Sequence, residues 1–452
     1  MEISAVKSYI AGQREFMIRD LAGFVRIPSI TENRKEVRQA LRYILKLARD
    51  MGFSAKSVLD EQVGVIELGD GDETVGILAH VDVVPPGNLA AWQTPPFVLV
   101  QKDSKLYGRG TLDDKGAIIA SLYAMKAIKD SGMPVHKKIQ LILGTQEEGE
   151  WSDMDAYVKQ YPLPDYGFTP DGEFPLCNIE KGCMTMCLSF PVEQISESGL
   201  FLTELFADSA VNTVPGSCTA KLFQYEEGKK IREEVINIEG KSAHACQPEK
   251  GQNAIFLMAQ KLKTYSLEEG TIWMSLKRLE EWFSDLYGEG IGLSNEKQYI
   301  NGEYVDRNVF SPTRICTTDD ALEVYVDIRY AYGTDDRKLI GKITSLLESC
   351  GGKVQVITNM PAVYVSKDRP FMHAFGQAYE EGCGRKNEFV LAYGGSYAKA
   401  MPNIVSWGPI FPGDEDTCHA ENEYITETCL LENAIIFTAA LAKITLSEKS
   451  FK

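Results

Sequence analysis

The segment Val75-Gly-Ile-Leu-Ala-His-Val-Asp82 decides the fold, because it joins a buried strand to two side chains of the kind that bind metal ions. Its first five residues form an apolar run bounded by polar residues, which is typical of a strand buried on both faces. His80 and Asp82 follow at positions i and i+2, so in extended backbone their side chains point to the same side. His80 could bind a metal ion through one ring nitrogen while Asp82 accepts the N–H of the other. A lone His-x-Asp pair is more often a packed or solvated polar pair, so the hypothesis depends on partners elsewhere.

The length and charge of the chain limit its organisation and its partners. A chain of 452 residues exceeds the usual size of a single hydrophobic core, so we expect two domains. The formal net charge of −17 opposes binding to nucleic acid and to anionic membrane surfaces, and we expect neither as a partner. An anionic small substrate would need Arg or Lys placed locally.

The cysteines and the N-terminus indicate a cellular compartment. The ten cysteines include no C-x-x-C pair and show no regular disulfide framework. The N-terminus has no basic segment leading into an apolar signal core, and no run approaches the length of a membrane span. These features favour a reducing cytoplasm.

Two further apolar runs each end in acidic residues. Residues 139–143 are followed by Glu147 and Glu148, and residues 166–169 are followed by Asp171. Helical patterns separate these runs from one another, which is typical of an α/β fold with a parallel sheet. Open sheets of this kind place their ligands at the C-terminal ends of the strands. We therefore expect the acids and His80 to meet at one edge of the sheet.

The second half of the chain indicates an inserted domain. From about residue 185, strand-like pieces alternate with polar, glycine-containing segments. We predict a catalytic domain of residues 1–184 plus 364–452, and an inserted lid domain of residues 185–363. Residues 284–308 hold few core candidates and are predicted as an insertion or a long loop. The principal helices of the catalytic domain are predicted at 3–26, 36–51, 117–128, 370–382 and 427–445.

Several short motifs follow one another along the chain: His80-Val-Asp82, Gly108-Arg-Gly-Thr-Leu-Asp113-Asp-Lys-Gly, Glu147-Glu148-Gly, Pro170-Asp171-Gly-Glu, Ser242-Ala-His244, Asp327-Ile-Arg329 and Cys418-His419-Ala-Glu-Asn. In this order they resemble the M20 family of metallopeptidases, most closely its PepV-like dipeptidases. The resemblance runs nearly end to end and implies a zinc-peptidase-like α/β/α catalytic domain with an inserted α+β lid domain. It also implies a small peptide substrate and a monomer in which one lid covers its own site.

The resemblance implies a site for two divalent metal ions. Asp113 would bridge the ions, His80 and Asp171 would bind one, and Glu148 and His419 would bind the other. Two divalent charges, three carboxylates and one bridging hydroxide leave a nearly neutral centre that can polarise a carbonyl. Imidazole and carboxylate ligands suit Zn²⁺, with Mn²⁺ or Co²⁺ as alternatives.

The resemblance also assigns roles beside the metal ligands. Glu147 would be the general base that takes a proton from the bridging water, and Asp82 would orient His80. The peptide bond between Asp113 and Asp114 is expected to be cis. His244 would stabilise the tetrahedral oxyanion when the lid closes.

Further residues would hold the substrate. Asn212 and Arg329 match lid positions of the dipeptidases, with Arg329 as a bidentate partner of the free C-terminal carboxylate. The alternative for Arg329 is a structural salt bridge to Asp327 or another acid. Segment 224–238 is shorter than expected for the closest dipeptidases, which affects the length of substrate that fits.

The segment Gly394-Gly-Ser-Tyr-Ala-Lys399 resembles the glycine-rich substrate loop of the family. It implies that Gly395, Ser396 and Lys399 contact the substrate. Ser396 and Lys399 stand where Thr and Arg are expected, and Lys lacks the planar fork of Arg. Contacts to a substrate carboxylate or carbonyl are therefore expected to differ from those of the family.

The sequence leads to one preferred function and two alternatives. The preferred function is hydrolysis of unblocked dipeptides by a dinuclear metal centre. The nearest alternative is an N-acyl amino acid deacylase of the same family. From another class, the chain could be a catalytically silent binding protein, which the presence of Glu147, Asp82 and all five ligands argues against.

Overall fold

The computed structural model describes residues 1–195, 198–227, 229–294 and 296–452. The chain divides into two compact units. The first unit comprises Met1–Ile179, Val363–Leu391 and Ser396–Lys452, and the second comprises Glu180–Ala362 and Ala392–Gly395.

The helices of the first unit form close to where hydrophobic periodicity predicts them. The last helix is long and apolar enough to cross a membrane by length and composition, but 72% of its most apolar window is buried inside the protein. It is therefore a core helix of the first unit. The helices are α1 (Ile3–Val25), α2 (Arg34–Asp50), α3 (Lys115–Asp130), α4 (Ser152–Gln160), α5 (Ala254–Leu262), α6 (Thr271–Phe283), α7 (Asp336–Glu348), α8 (Pro370–Cys383) and α9 (Glu427–Thr445).

The strands up to the start of the second unit are β1 (Ser54–Val58), β2 (Val63–Leu68), β3 (Thr74–His80), β4 (Val100–Lys102), β5 (Lys105–Tyr107), β6 (Lys138–Gly144), β7 (Tyr166–Thr169), β8 (Gly172–Glu173) and β9 (Leu176–Glu180). The next strands are β10 (Gly182–Pro191), β11 (Gly199–Ala207), β12 (Thr213–Val214), β13 (Ser217–Glu226), β14 (Lys229–Glu239), β15 (Ala243–His244), β16 (Gln298–Ile300), β17 (Glu303–Asp306), β18 (Val309–Thr317), β19 (Ala321–Tyr330) and β20 (Lys353–Met360). The chain ends with β21 (Val363–Tyr364), β22 (Phe389–Ala392), β23 (Ile404–Ser406), β24 (Pro409–Ile410) and β25 (Tyr424–Thr426).

The main sheet of the first unit is mixed, with a parallel centre. Its order is β1-β2-β6-β3-β7-β23-β9-β21, and β22 also pairs with β9. Strand β3 runs parallel to β6 and β7, and β23 runs parallel to β7. The C-terminal ends of these strands therefore lie at one edge of the sheet, as the sequence predicts.

Both faces of this sheet are covered. Ile77 and Ala79 belong to one apolar cluster, which includes residues of α1, α3 and α9. Leu78, between them in the strand, belongs to a second cluster with Met154 and Tyr157 of α4. Because successive side chains of a strand point to opposite faces, the two clusters lie on opposite sides of the sheet. The predicted α/β/α architecture is confirmed.

The second unit is an α+β structure built on an antiparallel sheet in the order β14-β13-β11-β18-β19-β10-β20. One face of β10 joins an apolar cluster with α5, α6 and α7. The prediction of a long loop at 284–308 is wrong in part. Strands β16 and β17 pair as a hairpin there, and Ile291 and Val305 are buried.

Candidate metal centre

The parallel strands of the first unit place the predicted ligands at one edge of the sheet. His80 is the last residue of β3 and lies beside Gly144, the last residue of β6. Glu147 and Glu148 follow Gly144, and Asp171 follows the end of β7. Adjacent parallel strands thus deliver an imidazole and three carboxylates to the same place.

Asp113 lies between the two predicted imidazole ligands. Its Oδ1 is 2.9 Å from Nε2 of His80, and its Oδ2 is 3.0 Å from Nε2 of His419. The same Nε2 of His419 is 2.9 Å from Oε1 of Glu148. The peptide bond between Asp113 and Asp114 is cis, as the family resemblance implies. The structure therefore brings together the predicted bridging carboxylate and a predicted ligand on each side of it.

Ligand atoms form two overlapping groups within which all atoms lie within 4.8 Å of one another. One group is His80, Glu147 and Asp171, and the other is His80, Asp113 and Glu148. Two imidazoles with clustered carboxylates are a donor set that suits divalent Zn²⁺, Mn²⁺ or Co²⁺. The residues present therefore fit divalent metal ions.

The contacts of His80 place a hydrogen on its Nδ1. Its Nδ1 is 3.0 Å from the main-chain oxygen of Asp82 and 3.4 Å from Oδ1 of the same residue. A carbonyl oxygen can only accept, so Nδ1 carries a hydrogen, and Nε2, which faces Asp113, is the nitrogen that would bind a metal ion. The closer acceptor is thus the main-chain carbonyl of Asp82, whereas the sequence pattern predicts its carboxylate.

The carboxylate of Asp82 instead supports the loop of the two glutamates. It accepts hydrogen bonds from the main-chain N–H groups of Glu147 and Glu148, both at 3.3 Å. The hydroxyl of Thr31 donates to it at 2.9 Å. Thr31 was not predicted as a site residue, because no local pattern links it to Asp82, which lies 51 positions away. Asp82 therefore positions the proposed base as well as His80.

The loop that carries Glu147 is held from a second side. The indole N–H of Trp151 donates to the main-chain oxygen of Glu147 at 2.7 Å. Asp153 accepts from the main-chain N–H groups of Thr145 and Gln146 at 2.6 and 3.1 Å, and from the hydroxyl of Tyr397 at 2.8 Å. Hydrogen bonds on two sides therefore hold the backbone that carries Glu147. A side chain held in a fixed position in this way is suited to a catalytic role.

The carboxylates of this centre lie close enough to repel one another. Burial and the charge of Asp171 raise the pKa of Glu147 well above its usual value. Burial and the charge of Asp113 raise the pKa of Glu148. Hydrogen bonds to Asp113 and Glu148 raise the pKa of His419 to about 11. Bound cations would relieve this crowding of carboxylates and take the place of the imidazole protons.

His244 and Asn212 lie close together in the second unit. Thr213, next to Asn212, pairs with His244 between β12 and β15. The main-chain N–H of Cys246 donates to Nδ1 of His244 at 3.1 Å, so neutral His244 carries its hydrogen on Nε2. Burial and the positive charge of Arg329 lower its pKa from 6.5. The ring is therefore prepared to donate a hydrogen bond through Nε2 near neutral pH.

Arg329 is largely occupied within the second unit. Its Nε and Nη2 donate to the two carboxylate oxygens of Asp327 at 2.8 and 2.9 Å. Its Nη1 donates to the main-chain oxygen of Tyr393 at 3.1 Å and contacts Sγ of Cys183 at 2.9 Å. A guanidinium has five N–H groups, so these contacts leave one on Nη2. The salt bridge considered as the alternative for Arg329 is present, and its binding of a substrate carboxylate stays a prediction.

The glycine-rich loop is divided between the units. Gly395 belongs to the second unit, whereas Ser396 and Lys399 belong to the first. The hydroxyl of Ser396 accepts from the main-chain N–H of Ala398 at 3.3 Å and caps the turn Tyr397–Ala400. Lys399 is buried. Contacts of Gly395, Ser396 and Lys399 with a substrate stay predictions.

The chain is similar to known proteins over nearly its whole length. Residues 76–443 match the sequence model of peptidase family M20/M25/M40. A Staphylococcus saprophyticus protein named "Putative dipeptidase" is 30% identical over 98% of this chain and 99% of its own length. A Bacillus subtilis protein with the same description is 29% identical over 96% of this chain and 98% of its own length.

Solved structures show the same fold. Human carnosine dipeptidase 1 superposes with a TM-score of 0.62 at 16% identity, over 97% of this chain and 98% of the human chain. Aminoacylhistidine dipeptidase from Vibrio alginolyticus gives a TM-score of 0.65 at 15% identity, over 96% of both chains.

Proposed function

Since this chain belongs to peptidase family M20/M25/M40, we propose that it is a two-metal dipeptidase that hydrolyses unblocked dipeptides. The observation that carries the proposal is the carboxylate of Asp113, with one oxygen 2.9 Å from the imidazole of His80 and the other 3.0 Å from that of His419. A buried carboxylate between two imidazoles, with further acids beside each, suits a pair of bridged cations. The dipeptidase names of the relatives support the substrate class.

The ligands divide into two sets in this proposal. His80 and Asp171 would hold one ion, Glu148 and His419 the other, and Asp113 both. When bound, the ions would supply a Lewis acid for the scissile carbonyl and lower the pKa of the attacking water. The hydrogen bond from Nδ1 of His80 to the main-chain oxygen of Asp82 would orient the ring so that Nε2 binds the ion.

Glu147 would carry the proton in hydrolysis. Its carboxylate takes a proton from the attacking water and delivers it to the leaving nitrogen of the dipeptide. Burial beside Asp171 raises its pKa, so the protonated form is accessible after the first transfer. Two hydrogen bonds hold the backbone of Glu147 during both transfers. Its N–H donates to the carboxylate of Asp82, and its main-chain oxygen accepts from the indole N–H of Trp151.

Residues of the second unit complete the proposal. Neutral His244, with its hydrogen on Nε2, would donate to the oxyanion. Asn212, Arg329, Gly395, Ser396 and Lys399 keep the substrate-binding roles that the family resemblance implies. The second unit as a lid, a monomeric state and a cytoplasmic location belong to the same proposal.

A substrate panel tests the proposed activity. Zinc-loaded protein should hydrolyse free dipeptides such as Ala-Ala or a β-alanyl dipeptide, and chelation should abolish this hydrolysis. N-acetyl and N-succinyl amino acids serve as the matched blocked substrates. A strong preference for the blocked compounds would contradict the dipeptidase proposal and would indicate a deacylase. Full metal occupancy without turnover of any amide would contradict an enzymatic function and would indicate a binding protein.

A further inference from the structure

Glu423 is a buried acid outside the predicted ligand set, and it lies four positions after His419. Its side chain is completely buried. A buried carboxylate is costly unless hydrogen bonds and an opposite charge compensate it. The contacts of Glu423 therefore show what holds it inside the protein.

Four donors converge on this carboxylate from the loop that leads to the bridging ligand. Its Oε2 accepts from Nη1 of Arg109 at 2.7 Å and from the main-chain N–H of Gly110 at 3.0 Å. Its Oε1 accepts from the main-chain N–H groups of Leu112 and Asp113 at 2.8 and 3.2 Å. The loop from 109 to 113 therefore wraps around one charged group, and charge-assisted hydrogen bonds of this kind are strong.

Arg109 also connects Glu423 to two further loops of the chain. Its Nη2 donates to the main-chain oxygen of Pro85 at 3.2 Å and lies 3.4 Å from that of His419. The main-chain oxygen of Glu423 also accepts from the N–H of Gly108 at 2.9 Å. The Arg109–Glu423 pair thus joins the segments that follow His80, precede Asp113 and follow His419.

His419 is the ligand that most needs such support. Its side chain is 55% exposed, so packing contributes little to its position. Its backbone has φ of +64°, in the left-handed region that non-glycine residues rarely adopt. The main chain around His419 must therefore be held by its surroundings, and Arg109 and Glu423 are in place to hold it.

We propose that Glu423 is a positioning residue that sets metal affinity, because its carboxylate holds the backbone of Asp113 directly and holds Arg109, which in turn contacts the main-chain oxygen of His419. This inference rests on the metal centre of the proposed function. In this proposal Glu423 contacts neither the substrate nor the metal ions. Its effect should appear in metal binding itself, since residues that orient metal ligands typically change affinity by about 10–100-fold.

The test compares full-length wild-type protein with Glu423→Gln, Glu423→Asp and a control, Asp20→Asn. Glutamine preserves shape but puts an amide N–H₂ where one oxygen accepts, and aspartate keeps the charge on a shorter side chain. Asp20 is also a buried acid beside an arginine, Arg19, and accepts from the hydroxyl of Tyr123 at 2.7 Å. Zinc affinity is measured by competition with a chromophoric chelator, and geometry by the visible spectrum of the Co²⁺-loaded protein.

We expect Glu423→Gln to weaken zinc binding by about 10–100-fold, with an altered Co²⁺ spectrum, and Glu423→Asp to weaken it less. Asp20→Asn should lower thermal stability and leave zinc affinity unchanged. Equal zinc affinity in wild type and Glu423→Gln, with only stability reduced, would overturn the inference. If Glu423→Gln does not fold, the same comparison on Glu423→Asp decides. A wild-type protein that binds no zinc would instead overturn the proposed function.

Discussion

Replacing Glu147 with glutamine should reduce kcat for free dipeptides by about 10²–10⁴-fold, the usual contribution of a general base. The amide keeps the size of the side chain but cannot accept a proton from water. Metal binding should persist, because the ligands that flank Asp113 are unchanged. Steady-state kinetics at saturating zinc, together with metal analysis of the purified variant, would measure both effects.

Glu150 provides a matched control for this variant, because it lies in the same loop but is exposed. Glu150→Gln should keep wild-type kcat. If Glu147→Gln keeps kcat within a factor of three of wild type, Glu147 is not the base. If it loses zinc as well as activity, Glu147 contributes to binding, which its membership of a ligand group with His80 and Asp171 would permit.

Replacing Asp113 with asparagine should abolish turnover, because the proposed bridge between two metal ions would be lost. The neutral amide is a poor ligand, and the charge that balances two cations is lost. Zinc that binds only the native state stabilises it by about 4 kcal/mol per site at a thousandfold excess over Kd. Wild-type protein should therefore show a large rise in Tm with zinc, and Asp113→Asn should show almost none.

Asp103→Asn is the control for that experiment. Asp103 is exposed in the turn between β4 and β5, where its φ of +53° is one that asparagine tolerates. This control should keep the zinc-dependent rise in Tm and the activity. An unchanged response to zinc in Asp113→Asn would rule out Asp113 as the bridge.

The strand ends were predictable because three of the five candidate ligands, His80, Glu148 and Asp171, follow an apolar run. The run before His80 and the runs before Glu148 and Asp171 each become a buried parallel strand. Family resemblance supplied Asp113 and His419, whose loops have no periodic pattern. Three candidate ligands were therefore predicted from the apolar runs that precede them, and the other two from the order of motifs shared with the family.

Residues that support the ligands could not be found in the same way. Thr31 meets Asp82 across 51 positions, and Glu423 meets Leu112 across 311. Such contacts depend on how loops return to each other in the folded unit, and neither residue type is diagnostic alone. The hairpin at 298–306 was missed for a different reason. Only a few of its side chains are buried, so its sequence shows no clear hydrophobic pattern.

The central claim is that Asp113 bridges two metal ions, and anomalous diffraction from zinc-loaded crystals tests it most directly. Data collected on both sides of the zinc absorption edge locate each ion independently of the protein coordinates. The account predicts two peaks, one between Asp113, His80 and Asp171 and the other between Asp113, Glu148 and His419. A single peak, or peaks away from Asp113 in crystals of active protein, would contradict the two-metal centre.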